Sequence, residues 1–321
     1  MTTFIISGAT GLIGRKLIED LSEKYDAKII ILTRNKDKIK KISWQTSEKA
    51  KIIPYLWHEK EKIISEAKEG ENKIVINLAG ENIGQRWTEK LKEKIEESRI
   101  ESTRETSDIT EKIKADLFIS ASAVGYYGDR GDENLDEKSG PGKLFLSRVC
   151  VKWENEAQRA AEKGIKTIIT RIGVVLSKDA KFIKSLLTPL FIGNPFGKGE
   201  NFVSWIHIKD LTRAFMFLIE KELDKKKKNE LGEERVSTKA KIVNITSPQP
   251  ARSKEIVNIL AEIKNKKVVN IPQRILSLML GKDFVEETIT PSQKVYPKVL
   301  ISEGFEFLFP DIKKALEDIV E

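Results

Sequence analysis

Cysteine and histidine are scarce in this 321-residue chain, which contains one cysteine, Cys150, and two histidines, His58 and His207. A single cysteine excludes an internal disulfide, and these three residues are too few for a Cys/His zinc site, so no metal is predicted. Apolar runs are short: none approaches the roughly 18 residues of a membrane span, and no basic segment precedes the apolar N-terminal stretch. We therefore expect a protein of a reducing compartment, the cytoplasm, with no membrane partner.

Positive charge is in mild excess, with 57 lysines and arginines against 49 aspartates and glutamates and a net charge of +8. Such an excess raises nucleic acid as a partner. However, lysines and glutamates interleave in TEKLKEKIEESRIESTRE as on a solvated helix face, and the densest block, KELDKKKKNELGEER, predicts a surface loop. We expect a small-molecule substrate and no nucleic acid, in a monomer or a homodimer; nucleic-acid binding through the lysines is the weaker alternative.

Apolar strand-like segments alternate with helical ones along the first half of the chain. Strands are predicted in TTFIIS, AKIIILT, KIIPY, KIVINLAG, DLFISAS and IKTIITRIGVVL. Continuous apolar strands separated by helices predict a parallel sheet covered on both faces, hence a doubly wound α/β (Rossmann) fold. We assign residues 1–176 and 203–247 to this domain, and residues 177–202 and 248–321 to a smaller C-terminal lobe that closes a substrate cleft.

Three glycines, Gly8, Gly11 and Gly14, follow the first predicted strand and open a helix that begins near Leu12. This pattern predicts a phosphate-binding turn: the first glycine turns sharply, the second lets the backbone approach a pyrophosphate, and the third packs the helix on the strand. Thr10 and Ile13 complete the predicted contact at the helix N-terminus, where unpaired N–H groups favour an anion. A merely tight structural turn is the alternative.

The second predicted strand ends ILTRN, without an acidic residue. An acid at this point holds the ribose of NAD, whereas an arginine suits the 2′-phosphate of NADP. Arg34, with Asn35 beside it, therefore predicts NADP(H) as the cofactor, because a planar guanidinium matches a phosphate. An ordinary surface arginine is the alternative.

Motifs along essentially the whole chain resemble an extended, atypical short-chain dehydrogenase/reductase, of an epimerase-like family of poorly defined function. The motifs are GATGLIGRKL, INLAGENI followed by RWT, SASAVGYYGD, VCVKWE, RIGVVL, WIHIKDL and YPKVLISEGFEF. The resemblance implies NADP(H) in the first lobe, with Ala79 and Gly80 near the cofactor, and an undefined small molecule in the cleft. It also implies that Ser122 occupies the place of the catalytic serine.

The chain departs from that superfamily at its Tyr-x-x-x-Lys pair, which should follow Ser122 by about two dozen residues. Leu146 and Cys150 stand at the two places. Leucine cannot transfer a proton, so the usual acid/base is missing. Cys150 and His207 are predicted to be core residues.

Substitute groups follow the fourth and fifth predicted strands. Tyr126, Tyr127 and Glu81 are candidate proton donors or acceptors, with packing tyrosines and loop hydrogen bonds as the alternatives. Arg86 and Trp87 are candidate substrate contacts. The sequence thus favours an NADP-dependent oxidoreductase or epimerase acting on a small polar substrate, for which a sugar nucleotide is one candidate. A non-catalytic protein that keeps NADP(H) as a sensed or structural ligand is the alternative.

Overall fold

Strands and helices alternate along the computed structural model, which describes residues 1–68, 70–229 and 237–320. The strands are β1 (Thr2–Ser7), β2 (Ala27–Thr33), β3 (Ala50–Leu56), β4 (Asn72–Asn77), β5 (Leu117–Ala123), β6 (Asn134–Leu135), β7 (Thr167–Ile172), β8 (Val174–Leu176), β9 (Phe191–Asn194), β10 (Phe202–Val203), β11 (Trp205–His207), β12 (Lys241–Ile245), β13 (Ala251–Arg252), β14 (Lys267–Asn270) and β15 (Lys294–Val295). The α-helices are α1 (Leu12–Lys24), α2 (Lys36–Lys40), α3 (Lys60–Ala67), α4 (Glu89–Ile113), α5 (Phe145–Glu162), α6 (Lys181–Leu186), α7 (Ile208–Asn229), α8 (Ser253–Ile263), α9 (Gln273–Leu280), α10 (Lys282–Phe284), α11 (Lys298–Ser302) and α12 (Ile312–Val320).

A parallel seven-stranded sheet in the order β12-β7-β5-β4-β1-β2-β3 forms the centre of the fold. Side chains alternate along β1, so that Phe4 and Ile6 pack against α1 and α7 on one face, while Ile5 joins the core under α3, α4 and α5 on the other. Burial on both faces explains why these strands are continuously apolar. The predicted doubly wound α/β fold is confirmed.

The sheet has its switch point between β1 and β4. The chain proceeds from β1 to β2 and β3 toward one edge, and from β4 to β5 and β7 toward the other. Ser7 and Asn77, the last residues of β1 and β4, stand side by side in register. In doubly wound sheets the ligand crevice lies beyond the strand ends at such a point.

The last predicted strand of the first half divides in two. IKTIITRIGVVL forms β7 in the large sheet and β8, which leaves it and pairs with β11. Gly173 separates them, and a Cβ there would lie 2.6 Å from the backbone oxygen of Ser204. The split follows from this close approach, which the apolar pattern does not encode.

A separate core supports the predicted C-terminal lobe. It joins residues of α6 and β9 to residues of α8 and α12, so segments from 177–202 and from 248–321 do pack together. The packing nevertheless crosses the predicted boundaries in both directions, since Leu300 and Phe305 belong to the core of the large sheet, and Val203 and Trp205 belong to the core of the lobe. The predicted surface loop KELDKKKKNELGEER is also wrong in part: residues 221–229 continue α7, and the rest of the block lies outside the described residues.

Gly14 generates the first testable prediction. A Cβ at this position would lie 2.5 Å from the Gly8 oxygen and 2.7 Å from the Ala9 Cα. Because these are backbone atoms, Gly14→Ala should lower the free energy of unfolding by at least about 1 kcal/mol, even though alanine favours helix. Urea denaturation measures it. Gly140→Ala is the control, since nothing lies within 4 Å of its Cβ position; equal stability of the two variants would contradict the predicted clash.

Candidate functional site

The glycine turn after β1 is held by short backbone contacts. Gly8 adopts φ 71°, and a Cβ there would lie 2.4 Å from the Leu78 oxygen at the end of β4. The Gly11 N–H donates to the Gly8 oxygen at 3.0 Å, and Gly11 is the N-cap of α1 without a capping side chain. The N–H groups of the first turn of α1 therefore have no side-chain partner and are available to an anion.

A cavity of about 640 Å³ lies against this turn. Its walls are the turn itself, the chain after β2, the chain after β4 and one side of α4. The predicted cofactor residues that line it are Gly8, Thr10, Gly11, Arg34, Asn35, Ala79 and Gly80. Leu12, Ile13 and Gly14 lie in the first turn of α1 and do not line the cavity.

The cavity wall after β2 carries positive charge. Arg34 and Lys38 are exposed there, and no carboxylate among the described residues lies within 4 Å of either cation. Asn35 has a role that its sequence position does not reveal: its Oδ1 accepts from the N–H groups of Asp37 and Lys38, at 2.9 and 3.1 Å, and caps α2. This cap fixes the start of the helix that carries Lys38.

The opposite wall and the far end of the cavity carry residues that sequence reasoning missed. Glu97, Glu101 and Glu105 project from α4 at helical spacing, and Trp57 follows β3. Trp57 could have been found, because it follows its strand at the same sheet edge where Arg34 follows β2. The sequence did not indicate that these glutamates line a cavity, because the same interleaving of charges is typical of a solvated helix face.

Glu81 also lines the cavity, beyond the end of β4. Its N–H donates to Ser98 Oγ at 2.9 Å, and its carboxylate accepts from the Asn82 N–H at 3.2 Å. The carboxylate is thus positioned by its own loop and remains accessible, so Glu81 stays a candidate base.

Trp87, a predicted substrate contact, is buried. Its ring is buried edge-on against Phe145 and Phe284, with centroids at 5.8 and 6.0 Å, and its Nε1 donates to the Ile83 oxygen. Its backbone N–H donates to the Leu280 oxygen, which attaches the loop after β4 to the C-terminal lobe. The geometry therefore supports a structural role for Trp87, because only 6% of the residue is exposed and its indole N–H is already used. Arg86 beside it is exposed and lies outside the cavity lining.

Ser122 and Tyr127 belong to a buried polar network. Ser122 Oγ donates to Glu154 Oε1 at 2.7 Å, and Arg171 binds both oxygens of Glu154, at 2.9 and 2.8 Å. Arg171 Nη1 also contacts the Tyr127 hydroxyl at 3.0 Å, which in turn donates to Asn244 Oδ1 at 2.7 Å.

This network argues against the predicted catalytic roles of Ser122 and Tyr127. Tyr127 is fully buried, and burial raises the pKa of its phenol to about 12 although Arg171 acts in the opposite direction. Ser122 is 2% exposed, and its proton is committed to Glu154. Both hydroxyls are buried and donate to partners within the network, so the geometry gives their predicted roles no support.

Tyr126 differs from its neighbour. It is half-buried, and its ring lies 3.4 Å below the Arg171 guanidinium carbon and edge-on to Tyr127. Of the two tyrosines, only Tyr126 retains access to solvent, and it stays the candidate phenol.

Leu146 and Cys150 lie on the side of α5 that faces the turn after β5. A Cβ on Gly125 would lie 3.6 Å from the Leu146 Cβ and 4.0 Å from the Cys150 sulfur. Burial raises the pKa of the Cys150 thiol to about 12, so this cysteine is not a nucleophile at neutral pH. Sequence reasoning missed the cap of this helix: the Glu287 carboxylate accepts from the N–H groups of Phe145 and Leu146, at 2.8 and 3.0 Å.

His207 is a fully buried residue stacked on Phe309, with ring centroids 4.0 Å apart. Its Nε2 lies 3.2 Å from Asp318 Oδ2. These contacts agree with its prediction as a core residue. Among the residues with described positions, no group of three His, Cys, Asp or Glu side chains could hold a metal ion. In the same part of the chain, no helix is long and apolar enough to cross a membrane.

A parallel α/β sheet with a glycine turn at its switch point and a cavity across that turn defines a protein of the Rossmann class. The profile of the NAD dependent epimerase/dehydratase family matches residues 4–232, and a domain of unknown function, DUF1731, matches residues 271–319. The chain belongs to the NAD-dependent epimerase/dehydratase family and carries the DUF1731 domain at its C-terminal end.

Relatives extend over the whole chain. The epimerase family protein SDR39U1 homolog, chloroplastic, of Arabidopsis thaliana is 32% identical over 99% of this chain and 87% of its own length. The epimerase family protein SAR0825 of Staphylococcus aureus is 31% identical over 100% of this chain and 99% of its own. The predicted resemblance to an epimerase-like family is confirmed.

Solved structures share the fold. Human epimerase family protein SDR39U1 with NADPH has a TM-score of 0.78 at 22% identity, covering 99% of both chains. UDP-glucuronic acid 4-epimerase from Bacillus cereus, in complex with UDP-glucuronic acid and NAD, has a TM-score of 0.72 at 16% identity, covering 99% of this chain and 98% of its own. At these identities the likeness shows the fold alone.

The buried network generates the second testable prediction. Glu154→Ala leaves the Arg171 guanidinium buried without its carboxylate, which should lower the free energy of unfolding by about 3 kcal/mol or more. The matched control is Glu156→Ala on the same helix, whose pairs with Arg104 and Arg159 lie at the surface and contribute little. Chemical denaturation of both variants checks this. A Glu154→Ala protein as stable as the control would show that the network is not what holds α5 to β7.

Proposed function

We propose that this protein binds NADP(H) in preference to NAD(H) and acts as an oxidoreductase or epimerase on a small polar substrate. The observation that carries the proposal is the pair of cations, Arg34 and Lys38, that faces the cavity after β2 without a carboxylate partner among the described residues. A 2′-phosphate would supply the missing negative charge. The solved human structure with NADPH supports the choice of cofactor.

The residues around the cavity fit such a dinucleotide. Gly8, Gly11 and the uncapped N-terminus of α1 form an anion site in the middle, and Trp57 offers an aromatic wall on the side of Arg34. The α4 glutamates repel a phosphate but accept hydrogen bonds from hydroxyl and amino groups. The wall that carries Arg34 and Lys38 has no lining carboxylate among the described residues, whereas α4 contributes glutamates together with Lys94, so a 2′-phosphate is favoured beside Arg34 and Lys38.

When bound, a nicotinamide cofactor supplies or accepts a hydride. The proton must then be moved by an accessible side chain, and Tyr126 and Glu81 are the predicted candidates with access. Arg86, exposed beyond the loop after β4, is proposed to anchor a charged group of the substrate, for which a sugar nucleotide is one candidate. The solved epimerase with UDP-glucuronic acid supports that substrate class.

A second function is favoured by the chemistry that the chain lacks. Leu146 and Cys150 stand in place of a proton-transferring pair, and Ser122 and Tyr127 are committed to buried partners. A protein that binds NADP(H) as a sensed or structural ligand would need none of these groups. The two functions share the cofactor site and differ only in turnover.

We also propose that the protein is a cytoplasmic monomer or homodimer without a nucleic-acid partner. Ion pairs support the last point: Lys152 pairs with Glu96, Arg104 with Glu156 and Lys209 with Asp318. Cations that are neutralised by neighbouring carboxylates contribute little to binding of a polyanion.

The cofactor preference is tested by dissociation constants for NADPH and NADH in one buffer. We expect the native chain to bind NADPH roughly 10- to 150-fold more tightly, as charge-assisted contacts imply. Arg34→Ala and Lys38→Ala should each lower this ratio by loss of NADPH affinity alone, because NADH has no 2′-phosphate. Lys36→Ala is the control, since that lysine in the same helix is already paired with Glu59 at 2.5 Å. Equal affinities in the native protein would contradict the proposal.

Catalysis is tested by NADPH oxidation, and NADP reduction, across carbonyl compounds and sugar nucleotides. Once a substrate is identified, Tyr126→Phe or Glu81→Gln should lower the rate of its turnover by about 10²- to 10⁴-fold, as expected for loss of a general acid or base. Tyr127→Phe should leave the rate per folded molecule nearly unchanged. Tight NADPH binding without turnover of any compound would favour the non-catalytic function.

A further inference from the structure

The guanidinium of Arg99, on α4, uses only one of its nitrogen atoms as a hydrogen-bond donor among the described residues. Nη1 donates to two backbone oxygens, those of Ile95 at 3.0 Å and Glu81 at 3.1 Å. One face of the group lies over the Trp153 ring, with Cζ 5.2 Å from the ring centroid. Among the residues with described positions, neither Nε nor Nη2 has a hydrogen-bond partner. The group is thus fixed in place with two donor atoms unused.

Arg99 forms no close ion pair with a described residue, although the Glu81 carboxylate acts on its pKa from a longer distance and raises it against the larger effect of burial. No carboxylate in the described part of the chain lies within 4 Å of its guanidinium, and the side chain is half-buried. Burial lowers the pKa of this arginine below its usual value. A desolvated cation without a partner is costly, so the arrangement favours an anionic or oxygen-rich ligand beside it.

The guanidinium lies against Gly80, a residue of the cavity lining, although Arg99 itself is not part of that lining. A Cβ on Gly80 would lie 3.2 Å from Arg99 Cζ and 3.4 Å from Nη2, and Gly80 lines the cavity. In the sheet, β2 and β4 flank β1 on opposite sides. Arg34 after β2 and Arg99 against the end of β4 therefore lie on opposite sides of the glycine turn.

A dinucleotide extends in both directions from its pyrophosphate. If its 2′-phosphate meets Arg34, its nicotinamide nucleotide extends toward Gly80. On that side α5 offers Leu146 and Cys150, neither of which carries charge at neutral pH. The Arg99 guanidinium lies between α5 and the end of β4. It contacts α5 through the Trp153 ring and the end of β4 through Gly80.

We propose that Arg99 binds the nicotinamide nucleotide of the cofactor, with Nε and Nη2 donating to its ribose or phosphate oxygens. Arg99 thereby supplies from α4 a positive charge that Leu146 and Cys150 on α5 do not carry. This inference rests on the proposed binding of NADP(H), and it adds a residue and a half-site that Arg34 does not reach.

The test compares two ligands, NADPH and adenosine 2′,5′-bisphosphate, which carries the 2′-phosphate but no nicotinamide nucleotide. Arg99→Met should weaken NADPH binding about ten-fold or more and leave the affinity for the bisphosphate unchanged. Arg99→Lys keeps the charge, which protects folding, and loses the planar donor pair, so NADPH affinity should be intermediate. Arg104→Met, on the same helix but paired with Glu156 at the surface, is the control and should change neither affinity.

Three outcomes overturn the inference. If both Arg99 variants bind NADPH as tightly as the native chain, Arg99 has only a structural role. If the two ligands lose affinity equally, the residue acts on the adenosine half or on the fold. If the native chain binds neither ligand, the proposed binding of NADP(H) itself fails. This outcome differs from the first two, in which the native chain binds NADPH.

Discussion

The contact between the carboxyl ends of β1 and β4 positions the glycine turn and the chain after β4, against which the cavity lies. Ser7 Oγ donates to Asn77 Oδ1 at 2.5 Å, and the Leu78 N–H donates to the Ser7 oxygen at 3.3 Å. Gly8 then turns against the Leu78 carbonyl, with room for no side chain. Because the chain leaves this contact toward opposite sheet edges, the cavity opens where the two halves part, and a larger residue at Gly8 would force them apart.

A second constraint is the buried charge of Arg171, which lies on β7 in the middle of the fold. Glu154 from α5 neutralises it, and the Tyr127 hydroxyl, from the turn after β5, accepts from its Nη1, while Ser122 from β5 donates to Glu154. A buried guanidinium needs both a carboxylate and satisfied donors. The side chains best suited to proton transfer are therefore used to stabilise the sheet, and accessible chemistry is left to residues at its edge.

The sequence predicts the sheet and the glycine turn well, because both depend on local patterns. Continuous apolar strands indicate burial on two faces, and the spacing of the glycines indicates close backbone approaches near Gly8 and Gly14. Roles that depend on contacts distant in sequence were not predictable. Trp87 is enclosed by Phe145 and Phe284, and Tyr127 donates to Asn244, 117 positions away. Nothing near these two residues in sequence distinguishes a buried ring from an accessible one.

The charged residues of the cavity walls after β2 and on α4 bear on the binding of a ligand and not on proton transfer. Arg34 and Lys38 line the cavity after β2 without carboxylate partners among the described residues, and α4 contributes three glutamates and Lys94 to the lining. This distribution suits a ligand with phosphates and with hydroxyl donors, and it requires no group that transfers a proton. Leu146 and Cys150 face the turn after β5 and add no charge to this distribution. Binding of the proposed cofactor therefore depends on residues other than those that would transfer a proton, so its affinity and its turnover are tested with different variants.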